Sequence, residues 1–239
     1  MSRRNVIFFH AESWDGRMIG PLGHPALRDA TPNIDRLAAD GMLFRRAYSS
    51  HPICCPSRAN LWSGRYTHHC ESWNNYKGLE SGMWSLLDEL PNTHNLATFG
   101  KLDYRSGGHT LLARLSAWLA PSGVVRPVYD EDSAQIIRVD DDDTPRCHEN
   151  DWQKIDKAID FLEEQTEADD DRPFFLYIST GLVHPKFHTN RHWFDKIPAD
   201  AVDIPPVDDC DHPSIQYQRQ ARPWQHGFDD ATVRKARRI

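Results

Sequence analysis

The chain of 239 residues has little cysteine and no long apolar run. Its five cysteines form an odd count without regular spacing, which is typical of a reducing compartment rather than of a disulfide-bonded scaffold. No apolar run approaches the roughly 20 residues that a membrane-spanning helix needs. The segment after Met1 has neither a long apolar core nor a small-residue cleavage site, so no signal peptide is predicted. As written, the sequence predicts a cytoplasmic protein without a membrane span.

The chain has no excess of basic residues, since 28 lysines and arginines face 35 aspartates and glutamates. The formal net charge is −7 at pH 7, which argues against nucleic acid and against an anionic membrane surface as partners. An anionic substrate stays compatible with this charge, because a local cationic pocket can form within an acidic protein. The apolar content of 39% is ordinary for a globular chain that is long enough to bury a core.

What the chain does contain is a dense motif, CCPSRANLWSGR, at Cys54–Arg65. Pro56 suits the first turn of a helix, and Gly64 suits its end. Such a helix would place Cys54 just ahead of an N-terminus, where backbone N–H groups and the helix dipole favour an anion. Arg58 adds a permanent cation whose planar fork fits a tetrahedral oxyanion. The pattern therefore predicts a cysteine beside a binding site for a sulfate or phosphate ester.

Predicted strands and helices alternate along the chain. The alternation predicts an α/β domain with a largely parallel central sheet flanked by helices. Residues 121–150 and 205–223 are predicted to be irregular, and a helical pattern reaches Ile239 without a stop signal, so we expect a domain truncated at its C-terminal end. The strands are predicted at Asn5–Phe9, Met42–Tyr48, Leu96–Tyr104 and Pro173–Ser179, and the further helices at Thr31–Gly41, Trp84–Leu90, Trp152–Leu162 and from Asp229.

The motif resembles the signature of the sulfatases, Cys-x-Pro-Ser-Arg followed by Ser/Thr-Gly-Arg, over all of Cys54–Arg65. Glu71–Leu79, Phe99–Tyr104 and Asp151–Gln153 look like the arylsulfatase K branch, which is similar to lysosomal glucuronate-2-sulfatases. The resemblance implies an alkaline-phosphatase-like fold, of which residues 1–239 would be the N-terminal portion of a single sulfatase domain. Related proteins are lysosomal or secreted, which differs from the location predicted above.

The resemblance also implies a reaction, the removal of sulfate from a sulfated sugar or an aryl ester. In this family a maturation enzyme oxidises the first cysteine, here Cys54, to formylglycine (3-oxoalanine), and a hydroxyl of its hydrate attacks sulfur. One Ca²⁺ would be held by Glu12, Ser13 and Cys54, and hard oxygen ligands at a strand end suit that ion. The family usually has two aspartates where this chain has Glu12 and Ser13, and Asp15 is a nearby substitute.

The remaining site residues are implied in the same way. Lys101 would contact a sulfate oxygen, and Arg58 would serve beside it as a catalytic residue. Many sulfatases have a histidine two positions after this lysine, where the present chain has Asp103, so the acid that protonates the leaving group is unassigned. His184 and His212 are alternative histidines for contacting substrate, and His184 is predicted to act in catalysis. His109 and His188 fit the pattern less well.

Two other interpretations stay open. The chain could be a phosphoester or phosphonate hydrolase of the same superfamily, or a non-catalytic fragment or binding protein. The second interpretation arises because the Asp-His/Asn-Gly motif that supplies two further calcium ligands in sulfatases is not found between His184 and Ile239. The acidic run Asp140–Asp143 is typical of a solvated loop, and Cys147-His148 lacks the second pair of a zinc site.

Overall fold

The computed structural model describes residues 4–75, 77–105, 137–184, 187–206, 209–221 and 229–239. These residues form two compact units, each assembled from segments that are separated in sequence. The first unit draws on 1–12, 47–121 and 150–181, and the second on 13–46, 122–149 and 182–239.

The elements follow one another in the alternation that the sequence predicts. The strands are β1 (Val6–Ala11), β2 (Asn95–Gly100), β3 (Ile137–Asp140), β4 (Phe174–Thr180) and β5 (Phe187–Asn190). The helices are α1 (Pro32–Asp40), α2 (Cys54–Ser63), α3 (Thr67–Cys70), α4 (Leu86–Glu89), α5 (Glu149–Glu167), α6 (Arg191–Phe194), α7 (Pro213–Ala221) and α8 (Asp230–Arg237), with 3-10 turns at Gly20–Leu22, Pro25–Leu27 and Leu90–Asn92. Among the described residues, no helix is long and apolar enough to cross a membrane.

A parallel sheet in the order β1-β4-β2 forms the middle of the first unit. The central strand β4 is almost entirely buried, because its apolar run lies between two other strands and beneath helices on both faces. The register sets Ala11 beside Thr180 and Gly100 beside Ser179, so the carboxyl ends of the three strands meet at one edge. Side chains that follow β1 and β2 are therefore brought together at this edge.

Alternate residues of β4 pack against different helices. On one face, Phe175 and Tyr177 join Trp62 of α2 in a buried apolar cluster, and the Trp62 and Tyr177 ring centroids are 4.9 Å apart. On the other face, Leu176 and Ile178 pack against α5. The central strand β4 is thus covered on both faces, whereas Ile7 and Phe9 of the edge strand β1 are more than half exposed.

The second unit contains the short parallel pair β3–β5. His188 of β5 lies 2.9 Å from an oxygen of Asp140 on β3, which links the two strands through their side chains. Near the end of α8, Arg237 donates to Asp203 at 2.8 Å, and the Arg238 guanidinium lies 3.8 Å from the Phe194 ring centroid.

Four of the predicted elements need correction. Met42–Tyr48 is not a strand: Met42, Phe44 and Tyr48 are highly exposed, and no described strand pairs with them. The predicted strand Leu96–Tyr104 ends at Gly100, whose φ of +100° turns the chain out of the sheet. The two stretches predicted to be irregular contain β3 and α7, because their ordering depends on contacts that local sequence does not encode.

Candidate active site

Three of the predicted site residues meet at the carboxyl edge of the first-unit sheet. Glu12 directly follows β1, Lys101 directly follows β2, and Cys54 is the first residue of α2. The Cys54 sulfur and a Glu12 carboxylate oxygen lie within 4.8 Å of each other. The Lys101 ammonium is 3.4 Å from Glu12 Oε1 and also contacts the Cys54 side chain. The arrangement combines a cysteine, a carboxylate and an ammonium in one small polar site.

Arg58 is a buried residue that holds the side chains of this site in place. Its side chain is only 2% exposed, and its guanidinium donates to the Glu12 carboxylate, to the Tyr177 hydroxyl at 2.7 Å and to Ser179 Oγ at 3.1 Å. It also donates to the backbone carbonyl of Lys101. The direct contact with an oxyanion that the sequence predicts for Arg58 stays a prediction. In this structure Arg58 orients Glu12 and the end of β2.

The charges within the site stabilise one another. Burial alone would raise the pKa of Glu12, but Arg58 and Lys101 outweigh it and the pKa is lowered. Burial alone would lower the pKa of Lys101, but the neighbouring Cys54 and Glu12 outweigh it and the pKa is raised. Lys101 is therefore a cation and Glu12 an anion at neutral pH.

The N-terminus of α2 has fewer free backbone N–H groups for binding an anion than the sequence predicts. Cys54 is the first helical residue rather than the residue ahead of the helix. The N–H of Cys55 donates to Asn75 Oδ1 at 2.9 Å, and Pro56 has no N–H. The attraction of an anion to this site therefore depends mainly on Lys101, whose side chain is 33% exposed.

Sequence reasoning missed two polar side chains that support the site, Tyr177 and Ser179. Tyr177 and Ser179 lie on β4 and accept hydrogen bonds from Arg58. His10 Nδ1 lies 2.8 Å from the Tyr177 hydroxyl. Burial raises the pKa of Tyr177, and burial followed by Arg58 lowers the pKa of His10. The signal that could have revealed them is the pair of polar residues at alternate positions in the otherwise apolar strand β4.

Asp103 stands where many sulfatases have a histidine. Its φ of +43° is a left-handed conformation that aspartate tolerates better than most residues. The side chain is 4% exposed, and Oδ2 lies 3.7 Å from the Lys101 ammonium. The buried carboxyl group of Asp103 is thus a direct neighbour of Lys101 in the site.

The described residues of the first unit do not complete a calcium site. Calcium takes about 6–8 oxygen ligands, whereas one oxygen of Glu12 accepts from Arg58 and the other faces Lys101. Cys54 could add oxygen only after oxidation. Any bound Ca²⁺ would need further oxygen ligands from outside the described residues of this unit, and no step of the chemistry below depends on the ion.

The other predicted site residues belong to the second unit, apart from His109, which lies outside the described residues. Ser13 is exposed, with φ +57°. Asp15 accepts from Arg17 at 2.9 Å and forms a second ion pair at 3.4 Å with Arg237. The histidines His184 and His212 are exposed, and His188 is taken up by its contact with Asp140.

The sequence matches a known family over most of its length. The profile described as Sulfatase matches residues 4–197, more than half of the chain. Arylsulfatase K of Rattus norvegicus is 36% identical over 216 residues, covering 84% of this chain and 37% of that protein. Arylsulfatase K of Homo sapiens is 35% identical over 216 residues, covering 84% of this chain and 39% of its own length. The present chain thus spans about two fifths of the length of these curated relatives.

The fold has solved counterparts too. The phosphonate monoester hydrolase of Silicibacter pomeroyi superposes with a TM-score of 0.63 over 99% of this chain and 55% of that chain, at 17% sequence identity. At that identity the likeness concerns the fold alone. It confirms the predicted alkaline-phosphatase-like α/β fold with its parallel sheet.

Proposed function

The chain belongs to the sulfatase family, and on that basis we propose that it forms the nucleophile-bearing part of a sulfuric ester hydrolase. The observation that carries the proposal is the contact of Cys54 with both Glu12 and the Lys101 ammonium at the sheet edge. A cysteine between a carboxylate and a cation suits a reaction in which a nucleophile attacks an anionic ester.

We propose that Cys54 is converted to formylglycine by a maturation enzyme. The position fits the modified residue, because Cys54 is a free, half-buried cysteine whose neighbours can donate to and accept from hydroxyl groups. As formylglycine, the residue would supply a hydrated aldehyde. One of its hydroxyls would attack sulfur as the sulfur–oxygen bond to the alcohol breaks, and the other would then lose its proton and expel sulfate, which restores the aldehyde.

The residues around Cys54 have separate roles in this proposal. Lys101 binds a sulfate oxygen and stabilises the charge that develops there, since its ammonium is partly exposed. Glu12 accepts a proton or a hydrogen bond at the nucleophile, and Arg58 holds Glu12 in place. The substrate we propose is a sulfated sugar or an aryl sulfate, and His184 or His212 is proposed to contact it or to protonate the leaving alcohol.

Mass spectrometry of Cys54 and an ester hydrolysis assay test the proposal together. The chain would be co-expressed with a formylglycine-generating enzyme, digested and analysed at Cys54, with Cys55 as the internal control that must stay a thiol. We expect the aldehyde at Cys54 alone, and turnover of an aryl sulfate that Cys54→Ala abolishes. An unmodified Cys54, or turnover that survives Cys54→Ala, would contradict the proposal.

The same assay separates the two hydrolase interpretations. Turnover of matched aryl sulfate, aryl phosphate and phosphonate monoesters would be compared in one preparation. Preference for the sulfate supports the sulfatase proposal, whereas preference for either phosphorus ester supports the phosphoester or phosphonate alternative. Modified Cys54 without turnover of any ester would favour a chain that is not catalytic by itself.

A further inference from the structure

Asp151 is a buried residue of the first unit for which the proposed reaction gives no role. It lies in the first turn of α5 and is 8% exposed. Both carboxylate oxygens accept from the backbone N–H of Gly181 at 2.8 Å, and Oδ1 also accepts from the Lys154 ammonium at 2.7 Å. An acidic residue in the first turn of a helix is ordinarily explained by the helix dipole. Here the carboxylate is also bonded to the residue that directly follows β4.

The end of β4 that Asp151 holds carries a side chain of the site. Ser179 lies two residues before Gly181 and is completely buried, and its hydroxyl accepts from Arg58 at 3.1 Å. Arg58 in turn donates to the Glu12 carboxylate. A shift of Gly181 would therefore displace an acceptor of Arg58 and, through Arg58, the carboxylate of Glu12.

Lys154 extends the influence of Asp151 to the end of β2. A Cβ built on Gly100 would lie 3.3 Å from Cδ of Lys154 and 2.1 Å from the Ser179 carbonyl oxygen. Only a residue without a side chain fits so close to both neighbours. The Lys154 ammonium is bonded to Asp151, so the side-chain carbons of Lys154 are kept beside Gly100. The next residue along the chain is Lys101, whose position depends on where β2 ends.

The two connections meet at one level of the sheet. Gly100 pairs with Ser179 in the register of β2 and β4. Asp151 is connected to the first of these residues through Lys154 and to the second through Gly181. A catalytic group that is misplaced by about 1 Å can cost roughly 100-fold in rate. A carboxylate that holds both strand ends therefore affects the geometry of the site as well as the packing of α5.

We propose that Asp151 is a positioning residue of the active site, which holds the ends of β4 and β2 so that Lys101 contacts Cys54 and Arg58 contacts Glu12. The consequence for sulfate ester hydrolysis rests on the proposed function. The consequence for the placement of Lys101 does not, because it can be measured on the unmodified Cys54 thiol.

The measurement is the alkylation of Cys54 in the full chain, produced without a maturation enzyme. Anionic iodoacetate and neutral iodoacetamide attack the same thiol, and fragmentation of the labelled peptide in a mass spectrometer separates Cys54 from Cys55. The ratio of the iodoacetate rate to the iodoacetamide rate reports the cation beside the sulfur, because Lys101 attracts only the anionic reagent. Lys101→Met should lower this ratio about fivefold, as expected for a charge about 4 Å away in water.

Asp151→Asn should lower the ratio by about twofold or more, in the same direction as Lys101→Met. The loss of a negative charge would by itself favour the anionic reagent, so a lower ratio indicates a displaced Lys101. Asp160→Asn is the matched control, since it makes the same change at an exposed position of α5, and it should keep the wild-type ratio. Circular dichroism shows whether each variant is folded.

Lys154→Ala is the second variant, and it decides the question if Asp151→Asn does not fold. The Lys154 side chain is 27% exposed, so we expect this variant to fold. Its ratio should lie below that of Lys157→Ala, which removes an equal charge from the exposed surface of the same helix. A wild-type ratio in folded Asp151→Asn, or equal ratios in the two lysine variants, would overturn the proposal.

Failure of the proposed function looks different. Cys54 would then stay a thiol after co-expression with the maturation enzyme, or no sulfate ester would be turned over, while the ratio in Asp151→Asn still falls. In a matured and active chain, Asp151→Asn should lower kcat about tenfold with little change in KM, and Asp160→Asn should change neither. A wild-type kcat in Asp151→Asn would refute the positioning role.

Discussion

Arg58 and Glu12 form an ion pair that is almost completely buried, with side-chain exposures of 2% and 8%. The pair joins α2 to the residue after β1, and the same guanidinium reaches β4 through Tyr177 and Ser179. Removing Glu12 from the pair leaves the buried charge of Arg58 without its carboxylate partner. The ion pair therefore stabilises the first unit and also fixes the position of Glu12 in the site.

Replacing Glu12 by glutamine should destabilise the protein by about 3 kcal/mol, because Arg58 would keep its charge without a counter-ion. Urea unfolding monitored by circular dichroism measures the change. Glu71→Gln is the control, since the pair of Glu71 with Lys77 is on the surface, and it should leave the unfolding free energy unchanged. A Glu12→Gln variant as stable as wild type would show that the pair contributes nothing.

Gly100→Ala should destabilise the protein by about 2 kcal/mol or more. The new Cβ would lie 2.1 Å from the Ser179 carbonyl oxygen, and φ at this position is +100°. Gly16→Ala is the matched control: nothing lies within 4 Å of a Cβ there, so a change of less than about 1 kcal/mol is expected. Equal melting temperatures for the two variants would refute the close approach of β2 to β4.

Lys101→Met should lower kcat for an aryl sulfate by about 100-fold, because it removes the exposed cation that stabilises developing charge. Lys157→Met, on the exposed surface of α5, is the control and should leave kcat unchanged. The release of the phenol product, followed over time, gives kcat for each variant. Maturation of Cys54 is confirmed in each sample by mass spectrometry. A wild-type kcat in Lys101→Met would remove Lys101 from the site.

Asp15 should make stability depend on acid pH. The hydrogen bond from Arg17 and the further charge of Arg237, opposed by partial burial, lower the pKa of Asp15 from 3.8 to about 2. Because the folded pKa is depressed, the contribution is present above the unfolded pKa near 3.8 and is lost as pH falls through about 2. Asp15 and Arg17 are 32% and 69% exposed, so solvent screening reduces it to about 1 kcal/mol or less.

Unfolding free energies of wild type and Asp15→Asn, measured between about pH 6 and pH 2, test this expectation. The difference between the two proteins should be largest at the higher pH and should shrink towards zero in acid. Glu163→Gln, an exposed change on α5, controls for the general effect of one carboxylate. A difference that stays constant over the whole range would contradict the depressed pKa.

The sequence predicts the parts of the fold that depend on local pattern. β1 and β4 are continuous apolar runs, and α5 has apolar residues at helical spacing, so all three are predicted correctly. The end of β2 is not predictable from such runs, because it depends on the backbone turn at Gly100. The strand predicted at Met42–Tyr48 is wrong for a related reason: apolar character alone does not supply a partner strand.

The candidate site likewise has residues that the sequence predicts and contacts that it does not. The candidates Cys54, Glu12 and Lys101 follow from the helix motif, from the end of β1 and from the resemblance to the sulfatases, all of which the local sequence reveals. The buried network around Arg58 does not, since its acceptors on β4 are 119 and 121 residues away along the chain. A local pattern shows that Arg58 carries a charge, whereas only the folded sheet shows that its guanidinium is occupied by Glu12, Tyr177 and Ser179.

The position of β4 between β1 and β2 also sets an order of events during synthesis. Neither of the outer strands has its neighbour until Phe174–Thr180 has left the ribosome, and Arg58 lacks its acceptors on that strand until then. At about 5–20 residues per second, the helix that bears Cys54 waits roughly ten seconds before the sheet can close beneath it. If Cys54 is modified as proposed, this interval is the time in which a modifying enzyme would meet it before the sheet forms.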